Sequence, residues 1–248
     1  MATGIIQLTL LFMGMAFALL PFFQFFRGTP HQLAAIKELE QSVPKGLLEE
    51  DADWFQAWKE SGYDQQIYMP YFRQWDNKTG TGYRECFSSA AAMVAAFYKK
   101  VATDDEYNGI RAKHGDTTSV EAQLAALRSL GLQAEFRENG DADLVENEVE
   151  HGRPVLVGWL HGGNMLRGEP PMCNALGCGH WSVISGYAGK NSNDPEWIMQ
   201  DPRGYPEMEK GGHSNPHLGR NVRVRQAAFH QRWQADGPKT GWVILVSD

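Results

Sequence analysis

The chain has 248 residues, which suits one domain of ordinary size with an extension. Hydrophobic residues make up 42% of it and charged residues 21%, as in globular proteins, and three cysteines are too few for a disulfide framework. The net charge of -7 argues against nucleic acid as a partner, because nucleic-acid binders usually carry a basic patch.

The first 27 residues differ from the rest of the chain. Residues 4–26 read GIIQLTLLFMGMAFALLPFFQFF and carry no charge, and this length is sufficient to cross a bilayer. A cleaved signal peptide fits less well, because no Lys or Arg precedes the apolar run and no A-x-A site follows it. We therefore predict a membrane anchor over residues 1–27, or a hydrophobic helix that plugs into a protein socket. Arg27 favours a cytoplasmic catalytic part, but one Arg leaves the side of the membrane open.

A polar connector follows this segment. Residues 28–65 are predicted to be helical, since Leu33, Ile36 and Leu39 recur at helical spacing. The compact domain is predicted to occupy residues 66–248.

Within that domain, helical patterns come first and strand patterns afterwards. An alanine-rich stretch that is apolar on all sides predicts a buried helix, and Ser119 is a candidate N-cap for a second helix. Short runs rich in β-branched and aromatic residues predict strands further on. This order indicates an α+β fold. We expect helices over residues 86–100, 119–130 and 141–150, and strands over residues 154–160, 180–187, 197–200 and 242–246.

Cys86 is the candidate nucleophile. It stands where the alanine-rich helix begins, and the N–H groups of a first helical turn stabilise a thiolate and can contribute to an oxyanion hole. We therefore expect a lowered pKa for this thiol. The alternative is a buried structural cysteine, which is the commonest role of a lone cysteine.

Three further residues complete a possible site. His180 begins a strand after a glycine, so its imidazole can face a cleft, unlike the other histidines, which lie in polar segments. Asp201 directly follows the next predicted strand, residues 197–200, and could orient the imidazole, although D-P-R-G is also a good turn sequence. Gln74, ahead of the cysteine, could supply a side-chain donor to an oxyanion hole.

This order of residues resembles the papain-like cysteine peptidases. More closely, it resembles the bacteriocin-processing, double-glycine leader peptidase type, with relatives in bacteria, cyanobacteria and phages. The resemblance covers roughly residues 66–248. It is carried by YFRQWDN at 71–77, ECFSSAAAM at 85–93, YNGIRAKHGDTTSVEAQLAALRSLGL at 107–132, GRPVLVGWLHGG at 152–163, GHWSVISGYAG at 179–189, DPRGYPEMEKGG at 201–212 and GPKTGWVILV at 237–246.

The resemblance implies a papain-like fold, in which a nucleophile helix packs on an antiparallel sheet. It implies Cys86 as nucleophile, His180 as base, Asp201 as the orienting residue and Gln74 as oxyanion donor. We predict no cofactor and no metal. The gap between Gln74 and Cys86 is longer than papain-type enzymes usually have, and no ATP-binding cassette follows.

A loop over residues 164–178 looks like an insertion beside the site and contains Cys173 and Cys178. A zinc site with His161 and His180, a local disulfide and two free thiols all remain open for this pair.

The sequence thus predicts a hydrolase that cleaves peptide or isopeptide bonds. Peptides, including cell-wall peptides, are the expected substrates, and no nucleic acid is expected as a partner. A membrane-associated or virion location is expected. The alternatives are a catalytically idle structural or hub protein that keeps the peptidase fold, and an amidase or transamidase that uses the same Cys-His machinery.

Overall fold

The computed structural model describes residues 63–173 and 179–248, and the residues from Ser61 onward form one compact unit. The predictions for residues 1–27, for nearly all of the connector and for Cys178 therefore lie outside the described residues. No helix in the described ranges is long and apolar enough to cross a membrane.

A seven-stranded sheet, antiparallel at every pairing, forms the centre of the described part. Its strand order is β2-β7-β3-β4-β5-β6, and β1 also pairs with β4. All nine residues of β4 are buried, which makes it the central strand for packing. The strands are β1 Tyr63–Gln66, β2 Gln133–Gly140, β3 Val155–Trp159, β4 His180–Ala188, β5 Glu196–Gln200, β6 Val222–Arg225 and β7 Gly241–Ser247.

Five α-helices accompany the sheet in the described ranges. They are α1 Cys86–Phe97, α2 Asp104–Arg111, α3 Val120–Ser129, α4 Ala142–Glu150 and α5 Gln226–Trp233. The side chains of Thr103, Ser119 and Asp141 cap the N-termini of α2, α3 and α4 by accepting a backbone N–H three residues ahead. Such caps satisfy donors that have no partner inside the helix.

The helix α1 lies in the core. It is buried without interruption from Phe87 to Ala95, as its apolar composition predicts, and it packs against β4. Its alanines have almost no side-chain bulk, so the helix can approach the sheet closely. This packing brings the first residue of α1 and the first residue of β4 to the same end of the core.

The predicted α+β class with an antiparallel sheet is confirmed. The helices predicted over 86–100, 119–130 and 141–150 match α1, α3 and α4, and the four predicted strands match β3, β4, β5 and β7 within two residues. The elements β2, β6, α2 and α5 were not anticipated, and β1 pairs with β4 from Tyr63 onward.

Candidate active site

Cys86 is the first residue of α1, and a buried carboxylate fixes the chain just before it. Glu85 is 1% exposed. Its carboxylate accepts hydrogen bonds from Asn77 at 2.6 Å, from Asn108 at 3.0 Å and from the hydroxyl of Thr81. These contacts join the loop before the helix to α2. They therefore hold the start of α1 in one position.

Cys86 lies beside the start of β4. The backbone N–H groups of Trp181 and Phe87 face its thiol. The Phe87 ring stacks on the Trp181 ring with centroids 3.9 Å apart and planes 4° from parallel. Each aromatic residue directly follows one member of the Cys86–His180 pair, so the stack joins the two chain segments that carry this pair. No hydrogen bond joins the thiol to the imidazole, although both belong to the described part of the chain.

Asp201 is fully buried and accepts hydrogen bonds from four groups. Nε2 of His180 lies 2.9 Å from Oδ1 and 3.0 Å from Oδ2. The Ser182 hydroxyl donates to Oδ2 and the Arg203 backbone N–H donates to Oδ1, each at 2.9 Å. Nε2 of His213 lies 3.2 Å from Oδ2. The predicted contact between His180 and Asp201 is thus present, and it uses Nε2, which leaves Nδ1 of His180 for the thiol.

His213 was excluded by the sequence interpretation, yet its ring lies 4.4 Å from that of His180, measured between centroids. It lies in an irregular segment, so no strand or helix pattern indicates it. His161, named above only as a zinc ligand, lies 5.9 Å from His180 by the same measure. Three imidazoles therefore lie close together at the site and two of them contact Asp201, whereas the predicted catalytic set contains one histidine.

A buried arginine holds the two loops that carry these extra histidines. Arg232 in α5 is 0% exposed. It donates to carbonyl oxygens of residues 160, 162 and 163 in one loop and of residue 208 in the other. The Gly212 N–H also donates to the carbonyl of His161 at 2.7 Å. The loops are therefore tied to each other and to the helix.

The charge state of the site follows from burial. Burial raises the pKa of the Cys86 thiol to about 11, and the N–H groups that face it oppose the shift only in part. Burial also lowers the pKa of His180, against the pull of Asp201. Burial would raise the pKa of Asp201, but His180 and His213 hold it well below its ordinary value. At neutral pH the free protein therefore has a neutral thiol, a neutral imidazole and an ionised carboxylate.

This overturns the expectation of a lowered cysteine pKa. The helix N-terminus does stabilise a thiolate. Here, the loss of water around the sulfur has the larger effect.

Gln74 is buried and connects the segment before Cys86 with the segment after Asp201. Its Nε2 donates to the carbonyl of Gly82 at 2.6 Å, and its backbone N–H donates to the carbonyl of Pro202 at 2.8 Å. The opposite amide orientation would set two oxygens against each other, so Nε2 is the atom that faces Gly82. One hydrogen of Nε2 remains for another acceptor. Residue 82 must be glycine because a Cβ there would lie 2.3 Å from the backbone carbonyl oxygen of Gln74.

A metal ion has a possible place among these residues. Ligand atoms of His180, Asp201 and His213 lie within 4.8 Å of one another. The hydrogen bonds to Asp201 account for the same arrangement without an ion. Cys173 is disulfide-bonded while Cys86 is a free thiol, so the alternatives that used Cys173 as a zinc ligand or as a free thiol are wrong.

The family model described as papain-like cysteine protease AvrRpt2 matches residues 65–214. No curated protein matches the chain.

Three solved structures of peptidases are similar to it. A double glycine motif protease from an AMS/PCAT transporter, in complex with the leader peptide, is 17% identical, covers 74% of this chain and 94% of its own, and has a TM-score of 0.42. The peptidase domain of Streptococcus ComA, a bi-functional ABC transporter, is 18% identical, covers 66% of this chain and 91% of its own, and has a TM-score of 0.40. A putative C39-like peptidase from Bacillus anthracis is 13% identical, covers 75% of this chain and 98% of its own, and has a TM-score of 0.48.

Proposed function

The chain belongs to the papain-like cysteine protease AvrRpt2 family, and from this premise we propose that it hydrolyses peptide or isopeptide bonds. In this proposal Cys86 is the nucleophile, His180 the general base and Asp201 the group that orients the imidazole. The main support is the buried contact of 2.9 Å between His180 and Asp201, next to a free thiol at a helix start.

Acylation begins from the neutral pair. The Cys86 sulfur attacks the substrate carbonyl while its proton passes to Nδ1 of His180, because Nε2 is engaged by Asp201. The anionic Asp201 stabilises the imidazolium that forms. The carbonyl oxygen becomes an oxyanion, for which the N–H groups of the first turn of α1 and the remaining Nε2 hydrogen of Gln74 are the candidate donors.

The cycle then closes through a thioester. The C–N bond breaks, and the amine leaves with the proton held by His180. A water molecule next attacks the acyl carbon and gives a proton to His180. The C–S bond breaks, the acid product leaves and the thiol regains its proton.

The test uses the full chain with a peptide library and with purified peptidoglycan, followed by mass spectrometry. We expect cleavage by the wild type, none by Cys86→Ala or His180→Ala, and a double variant hardly worse than either, because residues that act as a unit are not additive. Asp201→Asn should be milder. An exposed histidine, His114→Asn, is the control. Turnover by Cys86→Ala would rule out the proposed nucleophile.

A catalytically idle scaffold is the second candidate. The absence of a thiol–imidazole hydrogen bond and the raised pKa of Cys86 favour it, since neither indicates an activated nucleophile. Catalytic hydrogen bonds in free enzymes often tighten only with substrate, so the peptidase remains our preferred proposal. Wild-type protein that cleaves neither the peptide library nor peptidoglycan would favour the scaffold.

We also propose that residues 4–26 attach the protein to a membrane or to a protein socket, and that its substrates include cell-wall peptides or virion precursors. The support for attachment is the uncharged composition of this segment. Partition of the full chain into liposomes, compared with a chain lacking residues 1–27, tests membrane attachment. A defined oligomer formed only by the full chain would indicate a socket instead.

A further inference from the structure

A cavity of about 420 Å³ lies next to the proposed catalytic residues and has no role in the mechanism above. Its lining includes Arg73, Trp75, Arg203, His213 and His217. His213 is the wall shared with the site, since its Nε2 contacts Asp201 and its ring centroid lies 4.4 Å from that of His180. A ligand in the cavity is thus a near neighbour of a bond cleaved at Cys86.

One cation of this cavity is already neutralised. Arg73 contacts the carboxylate of Asp76 through two nitrogens, at 2.9 and 3.0 Å, and the His217 ring at 2.6 Å. Its charge is therefore balanced within the protein, and its donors are partly used.

Arg203 differs from Arg73 in this respect. Its guanidinium forms no ion pair and no side-chain hydrogen bond with any described residue, and the residue is half-buried. The guanidinium carbon lies 5.6 Å from the centroid of the Trp75 ring, within the range of a cation–π contact. A guanidinium whose donors have no partner in the described part of the chain matches a planar carboxylate, which it can bind through two hydrogen bonds.

The backbone fixes this cation in place. The Arg203 N–H donates to Asp201 Oδ1 at 2.9 Å, and its carbonyl accepts from the Trp75 indole at 3.0 Å. Burial dominates the pKa shifts of Cys86 and His180, and the Arg203 charge adds a lowering contribution to both. The positive charge of Arg203 is therefore close enough to affect the proposed nucleophile and the proposed base electrostatically.

We propose that this cavity is a subsite for a substrate carboxylate, which Arg203 binds while Trp75 holds the guanidinium. The proposal rests on the proposed peptidase function. Because His213 lines the cavity and contacts Asp201, the carboxylate belongs to a residue close to the scissile bond. Either an acidic side chain or a free C-terminus can supply it.

The experiment takes peptides cleaved from the library by the full chain and remakes each in matched forms. Glu, Gln or Lys is placed at each of the three positions on either side of the cleaved bond, with a free or an amidated C-terminus. The wild type should cleave the Glu form about tenfold faster in kcat/KM than the Gln form at one position. If the C-terminus is the ligand, amidation should cause a similar loss.

Variants of Arg203 test the assignment. Arg203→Gln should abolish the preference, and Arg203→Glu should favour the Lys form. Arg137→Gln, which changes a partly exposed arginine of β2 that pairs with Glu135, should keep the wild-type preference. Equal kcat/KM for all matched forms, or a preference that survives in Arg203→Gln, overturns the subsite while leaving the peptidase proposal intact.

A binding measurement separates the two proposals if no peptide is cleaved. The Trp75 indole N–H signal of the Cys86→Ala full chain is followed by NMR during titration with Ac-Ala-Glu-Ala-NH2, Ac-Ala-Gln-Ala-NH2 and Ac-Ala-Ala-Ala-OH. A saturable shift with a carboxylate peptide but not the Gln peptide, lost in Arg203→Gln, supports the subsite without turnover. No shift with any of the three, in a protein that also cleaves nothing, overturns it.

Discussion

Phe87 stacks face to face on Trp181, with centroids 3.9 Å apart. The indole also packs closely on Gly158 of β3, because a Cβ added there would lie 2.9 to 3.1 Å from atoms of the Trp181 ring. The indole is therefore held between α1 and β3, with no room to shift. Since Cys86 and His180 precede the two stacked residues, any displacement of the indole is transmitted to the proposed nucleophile and base.

We therefore expect Gly158→Ala to lower kcat/KM about tenfold or more and to destabilise the protein by about 1–3 kcal/mol, the usual cost of overpacking a core. Peptide cleavage and urea unfolding measure the two effects. The matched control is Gly109→Ala in α2, where an added Cβ meets nothing within 4 Å and should stabilise the helix slightly. Unchanged activity in Gly158→Ala would show that the stack does not set the catalytic geometry.

The elements on either side of this stack were predictable from sequence because their apolar runs are continuous. The strand β2 was not, since its sequence QAEFRENG is mostly polar. It becomes a strand through pairing with β7, which is more than a hundred residues away in the chain, from Gln133↔Ser247 to Gly140↔Gly241. A periodicity in a short window does not contain that information.

The residues of the proposed site likewise fall into those that a local sequence pattern indicates and those that it does not. Cys86, His180 and Asp201 were found because each stands at the beginning or end of an element. His213 stands in an irregular segment that Arg232 of α5 holds through the carbonyl of Met208, and its contact with Asp201 is therefore a property of the folded chain that no local pattern indicates. Arg203 could have been suspected from its place two residues after Asp201.

The charge state of the site predicts how the Cys86 thiol reacts. With a pKa of about 11, its thiolate fraction rises tenfold per pH unit across the neutral range. Alkylation by iodoacetamide in the free protein should therefore accelerate steadily from pH 6 to pH 10, as followed by peptide mass mapping. A rate that is already constant from pH 5 to pH 8 would instead indicate a preformed thiolate–imidazolium pair.

His213→Asn should move the acid limb of the kcat/KM–pH profile. Burial is the main cause of the lowered pKa of His180, and His213 lowers it further. His213 also helps to hold the pKa of Asp201 down. Both pKa values should rise without it, so activity should begin to fall at a higher pH than in the wild type. The exposed His114→Asn serves as control. A uniformly reduced profile of unchanged shape would mean that His213 has only a structural role.

Arg232→Met should be severely destabilising. The change keeps much of the side-chain length but leaves four loop carbonyls without their guanidinium donor, and each buried polar group left unsatisfied costs about 1–3 kcal/mol. We expect a loss of more than about 3 kcal/mol in urea unfolding. Gln231→Met, on the exposed side of the same helix, should change stability by less than about 0.5 kcal/mol. Similar stabilities for the two variants would contradict a central role for Arg232.

Asp104 predicts a stability effect that depends on pH. This residue, the first of α2, is 8% exposed, and its Oδ2 has no hydrogen-bond partner among the described residues. Burial, with added repulsion from Asp105 and Asp76, raises its pKa to about 6. Because the folded pKa lies above the unfolded value, its contribution to stability is greatest below the unfolded pKa and is lost as pH rises through 6.

Asp104→Asn removes this charge and keeps the shape of the side chain. Relative to the wild type, the variant should gain about 2 kcal/mol in free energy of unfolding between pH 4 and pH 8, as measured by urea denaturation at several pH values. Asp143→Asn is the control, because it removes an exposed carboxylate from the corresponding first turn of α4 and leaves Asp104 and Asp105 in place. Its substitution should bring no gain at pH 8. A difference between Asp104→Asn and wild type that stays constant from pH 4 to pH 8 would show that Asp104 titrates alike in the folded and unfolded chains.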